Sequence, residues 1–184
     1  MTPSSARLPS SSPREALAVL TAAVTALESV GVTAWLTDGT LLGAIREHTF
    51  IAHDADMDLG AMITEHHPGV LPALVSAGFT VRKTHGTPRR GLEHRLKRDG
   101  FRLDIFWHYD NAGGGVWHAA WLKGKMLRYD YPTLTLAPLQ FLGRTFWAPS
   151  PPRLHLVQKY GRAWRTPITD WDWARDPANA REDT

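Results

Sequence analysis

Acidic and apolar residues alternate within residues 50–61, and this pattern constrains the fold more than any other in the chain. The acids are Asp54, Asp56 and Asp58, each separated from the next by a single apolar residue. Side chains of a β-strand point alternately to its two faces, so we predict a strand with three carboxylates on one face. Carboxylates on one face lie roughly 7 Å apart and repel each other unless a cation lies between or beside them. A solvated acidic edge strand is the alternative.

A fourth carboxylate, Asp104, lies in an apolar run at residues 101–108 that is typical of a strand. In a strand, Leu103 and Ile105 point to the face opposite Asp104. A buried charge without a partner is costly. We therefore expect Asp104 either to join the acids of residues 54–58 across neighbouring strands or to form a salt bridge with an arginine.

The ligands available for a metal ion in this chain include no thiolate, because it has no cysteine. Thiolate catalysis, zinc–thiolate sites and iron–sulfur clusters are excluded. Carboxylate oxygens favour Mg²⁺ or Mn²⁺, which usually keep bound water and use a few carboxylates together with substrate phosphates. We predict a Mg²⁺ or Mn²⁺ site, with these ligands: Asp54, Asp56, Asp58 and Asp104.

A tight turn at Gly39 and Thr40 separates a predicted strand at residues 33–37 from a helical pattern that begins at Leu41. Backbone N–H groups at the start of a helix bind anions, and glycine lets a phosphate approach the main chain closely. Arg46, later in the same helix, would reinforce this anion-binding site. The alternative is a simple helix cap formed by Asp38 or Thr40.

The composition and periodicity of the chain indicate one globular domain. It has 184 residues, of which 43% are hydrophobic and 21% charged. Residues 1–12 are rich in Ser and Pro and are expected to form a disordered arm, which leaves residues 13–184 as a single domain. Helices are predicted at 14–30, 68–77 and 152–160, and strands at 33–37, 50–61, 79–84, 94–98, 101–108, 117–122, 126–131 and 145–148. This order of elements predicts an α+β fold with a mixed sheet backed by helices.

The charges are segregated along the chain, although the net charge is only +3. Acids predominate from residue 38 to 65 and bases from residue 82 to 102, which favours a cation site facing an anion site. Arg95, Lys97 and Arg102 are candidates for holding a phosphate; a solvated basic hairpin is the alternative. No nucleic-acid-binding motif accompanies the bases, so nucleic acid is not an expected partner.

Neither a secretory signal nor an apolar stretch of membrane-spanning length is recognisable in the sequence. We therefore expect a cytoplasmic protein without an integral membrane segment.

Two neighbouring stretches resemble the signature block of the LicD/fukutin family within the nucleotidyltransferase superfamily. They are residues 35–46 (WLTDGTLLGAIR) and 50–60 (FIAHDADMDLG). Residues 103–106 (LDIF) and 159–164 (KYGRAW) are similar to weaker blocks of the family in the same order. The resemblance implies a nucleotidyltransferase-like fold. It also implies cleavage of a CDP-activated alcohol, such as CDP-choline or CDP-ribitol, with transfer of the phospho-alcohol to a glycan hydroxyl.

The resemblance also assigns roles to individual residues. The matches are Gly39 and Thr40 to the phosphate-holding turn, Asp56 and Asp58 to the metal-binding pair, and Asp104 to the third acid. Asp54 fits the extended acidic run of the family, and a register with Asp54 and Asp56 as the pair remains open. Many members have glycine at the position of Asp38, so phosphate binding here requires Asp38 to turn away.

Catalysis on this interpretation depends on positioning and charge neutralisation. Metal held by Asp56, Asp58 and Asp104 would bridge the pyrophosphate and lower the pKa of the attacking hydroxyl, with Asp104 as base or second-metal ligand. His53 is a possible acceptor-side group, although a structural role is the alternative. Two other functions fit the same residues: nucleotidyl transfer from an NTP to a small molecule or protein, and a catalytically silent nucleotide-binding module.

Overall fold

The protein is described by a computed structural model that covers residues 13–52, 54, 56–168 and 170–182. The predicted disordered arm at residues 1–12 and His53 lie outside the described residues.

Four α-helices are present in the described part of the chain, and they are α1 Pro13–Glu28, α2 Asp38–Leu42, α3 Val70–Ser76 and α4 Pro152–Tyr160. A π-helical turn, Gly43–Glu47, follows α2, and a short 3₁₀ helix spans Ile63–Glu65. The apolar residues of α1 recur at intervals of three and four, and its buried residues form one stripe that packs into the main core. The predictions of α1, α3 and α4 are confirmed to within a few residues.

The strands form a ten-stranded mixed sheet. They are β1 Trp35–Leu36, β2 Asp56–Met62, β3 Thr80–Thr87, β4 Arg90–Arg98, β5 Phe101–Asp110, β6 Val116–Leu122, β7 Lys125–Tyr131, β8 Leu136–Phe141, β9 Arg144–Pro149 and β10 Ala180–Glu182. Their order is β10-β7-β6-β5-β2-β1-β9-β8, and β4 adds to β5 and β3 to β4. β2 pairs in parallel with β5, and β1 with β9. The predicted α+β fold with a mixed sheet is confirmed.

The central strands β2 and β5 have one face in the main core and one face toward a cleft. Met57 and Leu59 of β2 and Leu103 and Ile105 of β5 are fully buried in the core that α1 covers. Every second residue points the other way, so the intervening acids face away from this core. The alternation predicted for the two strands is confirmed.

Several elements differ from the sequence-based predictions. α2 begins at Asp38 rather than at Leu41, so Gly39 and Thr40 lie in the first turn of the helix rather than before it. β2 begins at Asp56 rather than at residue 50, so Asp54 precedes the strand. β8 and β10 were not predicted. The basic segment forms the β3–β4 hairpin, most of whose bases are exposed, as the solvated-hairpin alternative requires. Within the described residues, no helix is both long and apolar enough to span a bilayer.

Candidate active site

A cleft of about 320 Å³ lies on the acidic face of β2 and β5. Its walls come from the start of α2, the end of α4, strands β4 to β7 and the segment that follows α4. The lining residues are Asp38, Gly39, Asp54, Asp56, Asp58, Arg95, Arg102, Asp104, Phe106, Ala120, Tyr129, Lys159, Tyr160, Trp171 and Trp173. Five of these side chains are carboxylates and three are cations, so the described lining has an excess of negative charge.

The parallel register of β2 and β5 determines how the acids meet. Asp58 lies directly opposite Asp104, and Asp56 lies opposite Arg102. An oxygen of Asp56 is 3.6 Å from a guanidinium nitrogen of Arg102. The structure therefore brings the acids of the 54–58 segment and Asp104 to one cleft.

The Gly39–Thr40 turn is bound to Asp58. The Gly39 N–H donates to Oδ2 of Asp58 at 2.8 Å, and the Asp58 N–H donates to the Thr40 hydroxyl at 2.7 Å. A side chain at Gly39 would overlap the carboxylate of Asp54 and touch that of Asp58. Glycine is therefore needed here so that two carboxylates can approach the turn, and phosphate binding by Gly39 and Thr40 stays a prediction.

Burial and neighbouring carboxylates both raise the pKa values of Asp58 and Asp104. Burial raises the pKa of Asp58 well above its ordinary value, and the neighbouring carboxylates of Asp56 and Asp38 add to the shift. Burial likewise raises the pKa of Asp104, together with the charges of Asp56 and Glu93. The ionised forms of both acids are therefore unfavourable unless a further positive charge enters the cleft.

The donors in this cleft fit a hard dication. Its acids offer only carboxylate oxygens, and two of them, Asp54 and Asp58, face the same space above Gly39. In the described part of the chain, no group of three or more His, Asp or Glu side chains is already arranged as a metal site. Mg²⁺ commonly binds through one or two carboxylates plus substrate phosphates, so a complete protein cage is not required.

Asp38 is buried and lines the same cleft as the other acids, but it is paired directly with a cation. Its carboxylate lies 2.5 Å from Nζ of Lys159 and 3.7 Å from Nε2 of His118, and the Tyr131 hydroxyl donates to it at 3.3 Å. Burial alone would raise the pKa of Asp38, but the Lys159 ammonium and the nearby histidines hold it well below its usual range. Asp38 caps no helix, since Thr37 occupies the cap position of α2. That Asp38 turns away from a phosphate bound at Gly39 stays a prediction.

Three buried histidines surround the Asp38–Lys159 pair. The rings of His155 and Tyr131 stack with centroids 4.0 Å apart, and the ring of His118 lies 4.8 Å from that of His108. Burial lowers the pKa of His108 to about 4 and that of His155 to about 3, and lowers the pKa of His118 well below its ordinary value. At neutral pH these rings are uncharged, so Lys159 is the cation that compensates Asp38.

Arg95 is one of two candidate phosphate-binding cations that line the cleft. Its guanidinium is in close contact with Glu93, which is completely buried, and lies 3.8 Å from Oδ2 of Asp104. Arg102 also lines the cleft, whereas Lys97 is exposed on β4 and does not. The structure thus separates three bases that the sequence could not rank.

A second cavity of about 240 Å³ adjoins the acidic cleft, and Arg46 lies in it rather than in the cleft itself. Arg46 forms an ion pair with Glu47 at 2.7 Å and donates to the main-chain oxygen of Trp164 at 3.3 Å. We refer to this space as the aromatic cavity. Its lining residues are Gly39, Leu42, Arg46, Ile51, Asp54, Tyr160, Trp164, Thr166, Ile168 and Trp171.

Comparison with known proteins identifies the family. Residues 31–151 match the LicD/FKTN/FKRP nucleotidyltransferase domain. The chain belongs to this family. The match covers α2 and all of β2 and β5, so it includes the turn and the acids of the cleft, whereas α4 and the segment after it lie outside the matched residues.

Curated relatives in the LicD/FKTN/FKRP family share about three residues in ten with this chain. It is 29% identical to human and 30% identical to mouse "Ribitol-5-phosphate transferase FKTN", each over 171 residues that make up 91% of this chain. The aligned part is 37% of each relative, so the chain spans less than two fifths of their length. An uncharacterized Caenorhabditis elegans protein is 29% identical over 160 residues, or 80% of this chain and 42% of that protein.

A solved structure supports the fold assignment. The solution structure of the antibiotic-resistance factor ANT(2'')-Ia aligns with a TM-score of 0.51 at 14% identity, over 88% of this chain and 78% of that chain. At this identity the likeness concerns the fold alone, and it agrees with a nucleotidyltransferase-like architecture.

Several cleft residues were not singled out from the sequence. Lys159 and Tyr160 line the cleft at the end of α4, and Trp171 and Trp173 line it from the following segment. The first two lie in the short 159–164 stretch that resembles a family block, which is the signal that could have identified them. The tryptophans lie in a segment without periodicity, so nothing in the sequence indicated that they face the acids.

Proposed function

We propose that this LicD-family domain is a metal-dependent transferase that moves a phospho-alcohol from a CDP-activated donor to a hydroxyl acceptor, with a glycan as the acceptor class. The relatives named as ribitol-5-phosphate transferases make ribitol 5-phosphate the first group to test. The cofactor is Mg²⁺ or Mn²⁺.

One observation carries the proposal: Asp58 lies opposite Asp104 on parallel strands, with both acids buried and in one cleft with Asp54 and Asp56. Arg95, 3.8 Å from Asp104, offsets only part of this charge, because the five carboxylates of the described lining outnumber its three cations. A dication bridging to a diphosphate supplies further positive charge, and phosphoryl-type transfer depends mainly on positioning and charge neutralisation.

The proposed roles follow from position in the cleft. Asp56 and Asp58 would hold the metal, with Asp54 beside them, and the metal would supply charge neutralisation at the diphosphate. Arg95 and Arg102 bind phosphate oxygens from the β4–β5 side. Asp104 would serve either as a ligand of a second metal ion or as the base that accepts the proton of the attacking hydroxyl.

The test is product analysis with the full chain. Incubation with CDP-ribitol, Mg²⁺ and a glycan acceptor is expected to release CMP and to leave ribitol 5-phosphate on the acceptor, and EDTA is expected to abolish both. CDP-choline in place of CDP-ribitol tests whether the alcohol is selected.

An NTP with the same acceptor separates the proposal from nucleotidyl transfer. Release of pyrophosphate from the NTP, with the nucleoside monophosphate attached to the acceptor, would contradict the proposal and identify the protein as a nucleotidyltransferase. Binding of CDP-ribitol with no turnover of any donor would instead make the domain a silent nucleotide-binding module.

A further inference from the structure

The aromatic cavity has walls unlike those of the acidic cleft. Three aromatic rings, Tyr160, Trp164 and Trp171, line it together with aliphatic residues. Its volume of about 240 Å³ is below that of pockets that enclose a whole drug-sized ligand. It therefore suits one flat part of a donor rather than an entire nucleotide-activated alcohol.

The cavity is continuous with the proposed metal site. Gly39, Asp54, Tyr160 and Trp171 line both spaces. A ligand whose diphosphate lies beside Asp54 and Asp58 can therefore extend past Gly39 into the aromatic cavity without crossing the strands. Of the parts of a CDP-alcohol, only the base has the planar, largely apolar faces that stack on aromatic side chains.

Arg46 distinguishes a nucleobase from a cationic alcohol such as choline. Aromatic cages also bind quaternary ammonium groups. In this cavity, however, Arg46 acts as a hydrogen-bond donor rather than as a free charge, because its guanidinium is ion-paired with Glu47 at 2.7 Å and only 11% of its side chain is exposed. The planar guanidinium carries five N–H donors, which suit a guest with hydrogen-bond acceptors such as the ring carbonyl of a pyrimidine, whereas a quaternary ammonium offers no acceptor.

From these observations we infer that the aromatic cavity binds the pyrimidine nucleoside half of the donor, with Trp171 stacking on the base and Arg46 contacting its acceptor edge. The inference rests on the proposed function for the identity of the donor. Since Tyr160, Trp164 and Trp171 follow the family-matched residues 31–151, the base would be recognised by a segment outside that match.

The test compares two tryptophans on the full chain by calorimetric titration with CMP in the presence of Mg²⁺. Trp171→Ala is expected to weaken CMP binding about tenfold, because base–aromatic stacking is lost. The matched control is Trp147→Ala, which removes a tryptophan that is 40% exposed on β9 and lines neither space. Ribitol 5-phosphate and phosphocholine are the comparison probes, and their binding is expected to be unchanged in both variants.

Arg46→Lys gives a second measurement, at a residue that precedes the segment after α4 in the chain and contacts it at the main-chain oxygen of Trp164. It keeps the charge but loses the planar donor group, and we expect weaker binding of CMP with no change for ribitol 5-phosphate. With CDP-ribitol, Trp171→Ala is expected to raise KM and leave kcat nearly unchanged, as loss of uniform binding does.

The outcomes separate this inference from the proposed function. Equal CMP affinity in Trp171→Ala and Trp147→Ala overturns the inference even if CDP-ribitol is turned over. Weakened binding of phosphocholine instead of CMP also overturns it and assigns the cavity to the alcohol. If Trp171→Ala weakens CMP binding but no CDP-alcohol is turned over, the nucleoside site stands and the proposed transfer reaction is wrong.

Discussion

Asp38 and Asp58 are buried to a similar degree at the same end of the sheet, yet their electrostatic environments are opposite. Asp38 is 4% exposed and is paired with the Lys159 ammonium, which lowers its pKa. Asp58 is 7% exposed, its carboxylate accepts a hydrogen bond from the Gly39 N–H, and its pKa is raised. The protein therefore pairs one buried acid directly with a cation, whereas we propose that a bound metal ion compensates the other.

This difference separates a structural acid from functional ones. A paired buried charge holds α2 against α4, since Asp38 and Lys159 belong to these helices. Asp58 and Asp104 have raised pKa values, although Arg95 lies 3.8 Å from Asp104, and perturbed acids grouped in a cleft are typical of a functional site. The predictions below test this contrast.

The largest effect is expected from Asp38→Asn. It leaves the ammonium of Lys159 buried without a counter-charge, and breaking a buried pair in this way costs about 3–5 kcal/mol. The free energy of unfolding from urea titrations measures it. The double variant Asp38→Asn, Lys159→Met removes both charges and should recover much of the loss. A single variant within 1 kcal/mol of the wild type would contradict the structural role.

The difference in free energy of unfolding between the wild type and Asp38→Asn is expected to decrease at acid pH. The folded-state pKa of Asp38 is depressed, so its contribution is fully present above the unfolded pKa of about 3.9 and is lost as the pH falls toward the folded value. The stability gap between wild type and Asp38→Asn should therefore be constant near neutral pH and narrow below about pH 4.

Asp58→Asn and Asp104→Asn are expected to act on activity instead. Loss of one carboxylate from the charge-stabilising site should lower ribitol-phosphate transfer on the order of 10²-fold. Metal-free stability should be unchanged or higher, because each variant removes a repelling charge. Asp110→Asn, an exposed acid at the end of β5, is the matched control and should behave as the wild type. If Asp58→Asn and Asp104→Asn lowered stability without lowering activity, these acids would have the structural role assigned to Asp38.

Added Mg²⁺ is expected to stabilise the wild type by about 1.4 kcal/mol at ten times its dissociation constant, since it binds only the folded state. Thermal unfolding with and without EDTA measures the effect. Asp58→Asn should lose this stabilisation, whereas Asp38→Asn should keep it despite its lower starting Tm. Equal stabilisation of both variants would place the ion elsewhere.

The contrast between the two acids shows where sequence reasoning stops. Alternation of apolar residues predicted the two faces of β2 and β5, because strand geometry is local. Asp38 was expected at a turn or cap, and its pairing with Lys159 depends on how α4 packs on α2, which no local pattern encodes. The histidines at 108, 118 and 155 come together from two strands and a helix for the same reason.

Local signals also failed for particular strands. β8 contains Pro138, and proline removes a ladder donor and disfavours a strand interior. The strand forms nevertheless because it is the last in the sheet order, where one side needs no partner. β10 has three residues, too few for a periodicity, and is held by pairing with β7. Trp171 could not be placed at the cleft without knowing that the chain returns there after α4.

The smallest effect is expected at Glu93, which is paired with a cation as Asp38 is, yet has a raised pKa as Asp58 has. One of its oxygens contacts Arg95, and the other has no hydrogen-bond partner among the described residues. Glu93→Gln keeps an acceptor for Arg95 but removes the charge that orients the guanidinium toward the cleft. We expect KM for CDP-ribitol to rise about fivefold, with kcat little changed. A change of this size corresponds to the free energy of one ordinary hydrogen bond.

The double-mutant cycle with Arg95→Lys decides whether Glu93 acts through Arg95. If it positions the guanidinium, the effect on KM of Glu93→Gln should disappear once Arg95 is lysine, because the planar group to be oriented is absent. Additive effects of the two substitutions would show that Glu93 influences the cleft directly, through its charge on Asp104. In that case Glu93 would belong with Asp58 among the uncompensated acids, and the contrast with Asp38 would extend to a third buried carboxylate.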